Sequence, residues 1–285
     1  MIRAPIARRT LLAGGAWALA SGFAPAGVAD PFAAIERRHG GRLGVFAIDL
    51  HNGRSIAHRP HERFKLYSSF KALLAALVLA DVAAGRESLD APVRFGASDL
   101  LPASPVTRAA VARGQLSVRE LCEATMHRSD NAAANLLMAR RGGPARLTAF
   151  LRDTGDDTTR IDSYEGQIAG KPAAFDTSTP HAIAATARRL LFGSVLPPAG
   201  RERLAQWMVG NQVGGTRLRA TFPRGWTAGD RTGTGDGYCN DIAFARRPGR
   251  APLIVAAYYH APGMAMADAE AVLRLAGDAV VRWQA

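Results

Sequence analysis

Residues 72–80 are nine consecutive alanines, leucines and valines, and they follow directly on Ser68-Ser69-Phe70-Lys71. Alanine and leucine at that density favour a helix. A helix apolar on every side must be enclosed rather than laid on a surface, so the rest of the chain has to wrap it. Its polar mouth adds a second constraint. A helix that begins near Ser68 places unpaired amide N–H groups and the positive end of its dipole beside the serine oxygen. Lys71 lies three residues on, about one turn, so its amine can stand over the same face as the hydroxyl. A serine needs a neighbouring base to act as a nucleophile, and a desolvated lysine can serve. The same residues also read as a serine N-cap followed by a solvated lysine, and the rest of the chain decides between the two.

Residues 1–29 read as a secretory signal rather than as part of the fold. Arg3, Arg8 and Arg9 form a basic start, residues 11–23 are largely apolar, and Gly27-Val28-Ala29 offers small residues before a cut. Arg8-Arg9-Thr10-Leu11-Leu12 resembles a twin-arginine signal, which implies a periplasmic or secreted destination. The mature chain would hold 256 residues, and its charge would fall from +12 to +9 because the leader carries three arginines and no acids. That length allows one catalytic domain with a sizeable core. A basic exported protein favours anionic substrates or an anionic cell surface. Nucleic acid is not expected as a partner, because the arginines are scattered and no basic run is interleaved with aromatics. No further stretch is long and apolar enough to cross a membrane. Cys122 falls in an amphipathic helical pattern, so it reads as core rather than as half of a disulfide with Cys239. The seven histidines are dispersed, and neither a metal nor a cofactor is expected.

Along the mature chain, residues 31–38 read as a helix stopped by Gly40-Gly41, and residues 42–50 as a strand. Asn52-Gly53 turns that strand back through residues 54–58. Residues 90–116, with prolines at 92, 102 and 105, read as loops and short elements. Ser117-Val118-Arg119-Glu120 is a capping box opening a helix to about His127. Helices follow over 131–141, 144–152, 180–191 and 199–209. Strands are expected over 227–232, 238–246 and 253–260, and a helix over 265–283 closes the chain. The fold class is therefore α+β: an antiparallel sheet built from both chain ends, flanked by helices, with an inserted all-helical lobe. The α/β lobe would comprise residues 30–60 and 210–285, and the helical lobe residues 61–209.

Three further groups carry chemistry. Ser129-Asp130-Asn131 falls between two expected helices; a second serine can relay a proton and Asn131 can bond a substrate amide, although the triplet is also a good capping turn. Arg231-Thr232-Gly233-Thr234-Gly235 lies at a strand, where an exposed cation beside two hydroxyls would suit a substrate carboxylate. Glu165 sits in a patternless segment, 156–178, and long irregular loops in compact domains tend to be functional.

In this order, S-x-x-K, S-D-N, a loop glutamate and R-T-G resemble the class A serine β-lactamases, relatives of the penicillin-binding proteins. The resemblance spans nearly the whole mature chain and includes Val209-Gly210-Asn211, Arg217-Leu218-Arg219 and Asn240-Asp241-Ile242-Ala243. It implies hydrolysis of penicillin- or cephalosporin-type amides by a monomer. Ser68 would attack the lactam carbonyl, with the backbone N–H groups of Ser68 and Thr234 as oxyanion hole. Lys71 and Glu165 would share the base role, Ser129 would protonate the leaving nitrogen, and Glu165 would activate the deacylating water. Asn131 would bind the substrate side-chain amide, and Arg231, Thr232, Thr234 and Arg217 its carboxylate.

Several positions depart from the family pattern. Arg231 replaces the usual lysine and keeps the charge, but a guanidinium does not shuttle protons. Gly166 replaces a proline, Ala169 replaces the asparagine that helps hold the hydrolytic water, and the stretch from Glu165 to Asp176 is about two residues short. Ser163 stands where an arginine would brace Asp176, with Arg160 as a substitute. These changes imply slower deacylation than is typical of the family. Ala103 replaces an aromatic flanking the cleft, and the stretch between Gly235 and Asn240 is about one residue short. A D,D-peptidase, or a penicillin sensor that stays acylated, is the alternative reading; the loop glutamate argues against the first and the lack of a membrane tether against the second.

Overall fold

The computed structural model describes residues 30–167 and 170–284. The expected leader and Ala169 lie outside the described residues. Asp30 caps α1 (Pro31–His39), its carboxylate accepting from the amides of Phe32 and Ala33. Strand β1 (Arg42–Asp49) returns as β2 (Ser55–His58), with Gly53 at φ +73° in the turn. After β3 (Phe64–Lys65) comes a 3-10 turn, Tyr67–Phe70, continuous with α2 (Lys71–Ala83). The α-helix therefore starts three residues later than Ser68, and the serine sits in the tighter turn ahead of it. Every residue from Lys71 to Leu79 is buried, as an all-apolar helix requires.

The short elements β4 (Pro92–Arg94), α3 (Pro105–Ala110) and β5 (Gln115–Ser117) lead into α4 (Val118–Arg128). There the capping box is closed both ways: Ser117 Oγ accepts from Glu120 N–H, and Glu120 accepts from Ser117 N–H. Next are α5 (Asn131–Arg140), α6 (Gly143–Asp153), β6 (Thr177–Ser178), α7 (Pro180–Phe192) and α8 (Pro198–Val209). The chain ends with β7 (Thr227–Gly235), β8 (Tyr238–Arg247), β9 (Arg250–His260) and α9 (Met266–Gln284).

Five strands form one antiparallel sheet in the order β2-β1-β9-β8-β7, so the two chain ends meet at the β1–β9 seam. Strand β9 shows why the sheet is enclosed. Ile254, Ala256 and Tyr258 face the core shared with the helices between the chain ends, while Leu253, Val255, Ala257 and Tyr259 face α1 and α9. Burial on both faces makes its sequence a nearly continuous apolar run. Helix α7 packs on β1 and β9, and α8 packs on β7. Cys122 and Cys239 are both free and buried, in the two separate cores on opposite faces of the sheet. Strand β7 runs three residues past its expected end. Asp236 and Gly237, at φ +45° and +78°, form the two-residue hairpin that makes the extension possible. Among the described residues no helix is long and apolar enough to cross a membrane.

Candidate active site

Ser68, Lys71, Ser129, Asn131, Glu165 and Arg231 come together in one hydrogen-bonded network where the first turn of α2 meets β7 and the loop between α4 and α5. The Ser68 hydroxyl donates to Glu165 Oε1 at 2.9 Å and accepts from Lys71 Nζ at 3.0 Å. It caps no helix, so the N-cap reading of this serine fails. Lys71 is 0 % exposed, and its ammonium also reaches Ser129 O at 2.8 Å, Ser129 Oγ at 3.3 Å, Asn131 Oδ1 at 2.6 Å and Glu165 Oε1 at 2.8 Å. Three protons facing five oxygens must be shared, which suits a group that passes protons on. Burial pushes Lys71 down to about 8, with the Glu165 charge opposing the shift and the Arg231 charge adding to it.

Within the S-D-N turn the duties divide. Asp130 caps α5 through Ala133 N–H and also accepts from Val106 N–H, Thr107 N–H and the Thr107 hydroxyl. Ser129 ends α4 at φ +57° and points into the site. Asn131 Oδ1 accepts from Lys71 Nζ, and its Nδ2 donates to Pro102 O at 3.0 Å, so both halves of this side chain are engaged within the protein.

Arg231 departs from the expected exposed cation: it is fully buried, at 0 % exposure. Its Nη2 donates to Ser129 Oγ at 2.6 Å and its Nη1 lies 3.4 Å from Thr232 Oγ1. Burial lowers its pKa to about 10. The reason lies in the sheet: β7 is pressed against the Ser68 turn, so a side chain on that face is covered. Gly233 makes the approach possible, since a Cβ there would sit 2.3 Å from Leu66 O. Thr234 is exposed on the same strand. Arg217 forms a second network behind it, donating to Thr234 Oγ1 at 2.7 Å, Gly233 O at 3.1 Å and Asn240 O at 2.8 Å.

Glu165 is 7 % exposed and held by its backbone. Asn135 Oδ1 accepts from Glu165 N–H at 2.8 Å, and Asn135 Nδ2 donates to Glu165 O at 3.1 Å. The spacing of α5 gives the signal in retrospect, because Asn135 lies one turn after Asn131. The loop brace differs from expectation. Arg160 pairs with Asp162, not Asp176, because that carboxylate lies two residues away. Asp176 is held by the backbone N–H groups of Asp162 and Ser163, and Lys65 Nζ donates to the carbonyls of Pro172 and Phe175. Among the described residues no cluster of His, Cys, Asp and Glu could hold a metal ion.

Residues 27–284 match the family model of the β-lactamase enzyme family. The chain is 43 % identical over 253 residues to the carbapenem-hydrolyzing β-lactamase KPC of Klebsiella oxytoca, covering 87 % of this chain and 86 % of that one. It is 44 % identical over 233 residues to β-lactamase AST-1 of Nocardia asteroides, covering 80 % and 75 %. The crystal structure of a β-lactamase from Burkholderia vietnamiensis superposes with a TM-score of 0.89 at 52 % identity, covering 90 % of this chain and 97 % of the other. An ancestral class A β-lactamase of Gram-negative bacteria superposes at 0.84 with 48 % identity, covering 88 % and 97 %. With a serine, lysine and glutamate joined at hydrogen-bond distance and likeness of this extent, the chain belongs to the β-lactamase enzyme family, in its serine-dependent class A.

Proposed function

We propose that this protein hydrolyses the amide bond of penicillin- and cephalosporin-type β-lactams through an acyl-enzyme on Ser68. The observation that carries the reading is Glu165 Oε1, which lies within hydrogen-bond distance of both Ser68 Oγ and Lys71 Nζ. The Ser68 proton is aimed at the Glu165 carboxylate, so Glu165 takes it as Ser68 Oγ attacks the carbonyl carbon. Charge on the carbonyl oxygen is met by the backbone N–H groups of Ser68 and Thr234. Ser129 Oγ accepts from Arg231 and Lys71, which leaves its own proton free for the lactam nitrogen as the C–N bond breaks. Lys71 then reprotonates Ser129 and is itself reprotonated by Glu165, so the net result is one proton lost from Ser68 and one gained by nitrogen, with the carboxylate restored. In deacylation Glu165 takes a proton from water attacking the ester and Ser68 recovers its hydroxyl.

Binding follows the same geometry. Thr232 and Thr234 contact the substrate carboxylate, while Arg231 and Arg217 act from behind them as a buried positive field. Asn131 meets the substrate side-chain amide by exchanging its bond to Pro102. In this reading residues 1–29 are a cleavable twin-arginine leader, and residues 30–285 are one exported, monomeric catalytic domain of two lobes. With Ala169 in place of the family's asparagine and the stretch from Glu165 to Asp176 about two residues short, deacylation is slower than is typical of the family.

Stopped-flow mixing of residues 30–285 with a chromogenic cephalosporin, with mass spectrometry of the quenched protein, tests the reading. Steady turnover with a transient adduct on Ser68 is expected. A stoichiometric burst with a permanent adduct would instead mean a penicillin-binding protein, and no adduct at all would remove Ser68 as nucleophile. A D,D-peptidase is disfavoured by Glu165, which that chemistry does not require.

A further inference from the structure

Tyr67 immediately precedes Ser68 and holds φ at +44°; Asp236, the first residue of the β7–β8 turn, holds φ at +45°. Both are L residues in the left-handed region, a conformation that persists only where the surroundings fix it. The two are tied to each other, the Tyr67 hydroxyl donating to Asp236 Oδ2 at 2.7 Å. The ring occupies the space over Gly235, where a Cβ would lie 2.2 Å from Tyr67 Cε1. Tyr238 backs it at 5.5 Å between centroids and is itself stacked on His260 at 3.9 Å. Burial, and then the Asp236 carboxylate, push the phenol above its ordinary pKa, so it remains a donor at neutral pH.

The contact bridges the gap that matters for chemistry. Ser68 is one residue after Tyr67, and Thr234 is two residues before Asp236, so the bond spans the two N–H groups assigned to the oxyanion. On the buried side the same junction is held by Asn240, whose Nδ2 donates to Lys65 O at 2.7 Å and Leu66 O at 3.3 Å. Toward solvent, among the described residues, the Tyr67–Asp236 bond is the side-chain hydrogen bond that joins residues 67–70 to residues 234–238.

We propose that the Tyr67–Asp236 hydrogen bond is a clasp that sets the spacing of the Ser68 and Thr234 N–H groups, making both residues positioning residues for the acylation transition state. The inference rests on the assignment of Ser68 as nucleophile. An oxyanion hole works by holding its donors where charge develops, so a loosened pair loses rate rather than ground-state binding. Glycine at 235 is required for the same reason, because any side chain there expels the clasping ring.

The test is the acylation rate constant and the dissociation constant of the preceding noncovalent complex, measured by stopped flow with a chromogenic cephalosporin. The variants are Tyr67→Phe, Asp236→Ala, Asp236→Asn and the Tyr67→Phe/Asp236→Ala double. Tyr67→Phe and Asp236→Ala should each slow acylation about tenfold with the dissociation constant held within about twofold, and the double should be no slower than either. Asp236→Asn keeps an acceptor oxygen and should retain most of the rate. Asp236 is exposed, so its variants carry the test even if Tyr67→Phe folds poorly. Acylation within about twofold of the parent in Asp236→Ala, or effects that multiply in the double, would overturn the clasp. If the parent protein itself forms no adduct on Ser68, the proposed function fails instead.

Discussion

Lys71 Nζ lies 2.8 Å from Glu165 Oε1, the same oxygen that accepts the Ser68 hydroxyl at 2.9 Å. Burial drives the ammonium toward neutrality and the Glu165 charge holds its proton on, and the balance leaves Lys71 near 8. Glu165→Gln removes the opposing charge, so the lysine should deprotonate below pH 8 and take over as acylation base. Acylation then survives and rises with pH through that lower midpoint, while deacylation falls by about 10³-fold for want of a base. The burst phase, measured from about two units below to about one unit above the Lys71 value of about 8, reads both effects, and an upward midpoint would contradict the assignment.

Arg231 acts on Lys71 in the opposite direction, since its charge helps lower the lysine pKa. Arg231→Gln should therefore move the acylation midpoint above 8. It also removes the Nη2 donor from Ser129 Oγ, a charge-assisted bond worth about 1.5–3 kcal/mol, so acylation should drop about 10- to 100-fold. Arg231→Lys restores the charge and should recover most of the rate at the original midpoint. Equal losses in Arg231→Gln and Arg231→Lys would point to lost packing alone.

The Asn135 side chain holds the Glu165 backbone at both its N–H and its C=O. Asn135→Ala should leave acylation nearly intact and slow deacylation by about 10²-fold, because a displaced general base misses its water. Two lost hydrogen bonds at about 1 kcal/mol each should lower Tm by about 4–8 °C. The diagnostic result is a burst followed by slow release. A uniform loss in both steps would mean that Asn135 supports the loop in general.

Asp230 and Asp241 lie buried on the outer face of β7 and β8, with Arg219 Nε 3.4 Å from Asp230 Oδ1. Burial, and then the Asp230 charge, raise Asp241 well above 3.8. As pH rises through 3.8 the unfolded chain releases this proton while the folded protein keeps it, so folding stability falls up to the raised native pKa. Asp241→Asn does not titrate, and its advantage should grow with pH across that window. Urea unfolding of both proteins at about pH 4, 6 and 8 checks the slope; a constant difference would deny the shift.

The features legible in the sequence were those a few residues apart. The three-residue step from Ser68 to Lys71, the Ser117–Glu120 capping box, the all-apolar 72–80 run and the paired runs of β8 and β9 are local patterns, and the longer helices and the strands of the five-stranded sheet followed from them to within three residues, while the short pair β3 and β6 did not. The order of S-x-x-K, S-D-N, Glu165 and R-T-G carried the family with it. What the sequence left open was decided by contacts between distant segments. Arg231 reads as a surface cation because strand alternation does not say what lies over the strand; the Ser68 turn covers it. Asn135 reached the backbone of Glu165 and Tyr67 met Asp236 through the way the loop and sheet close on α2. The sequence alone determined which residues could do chemistry and which segments would be helix or strand, since both depend on side-chain type and short-range periodicity. Burial, and with it the lowered pKa of Lys71 and the pairing of Ser68 with Glu165, was decided by tertiary structure, because desolvation and charge proximity depend on what packs across the site.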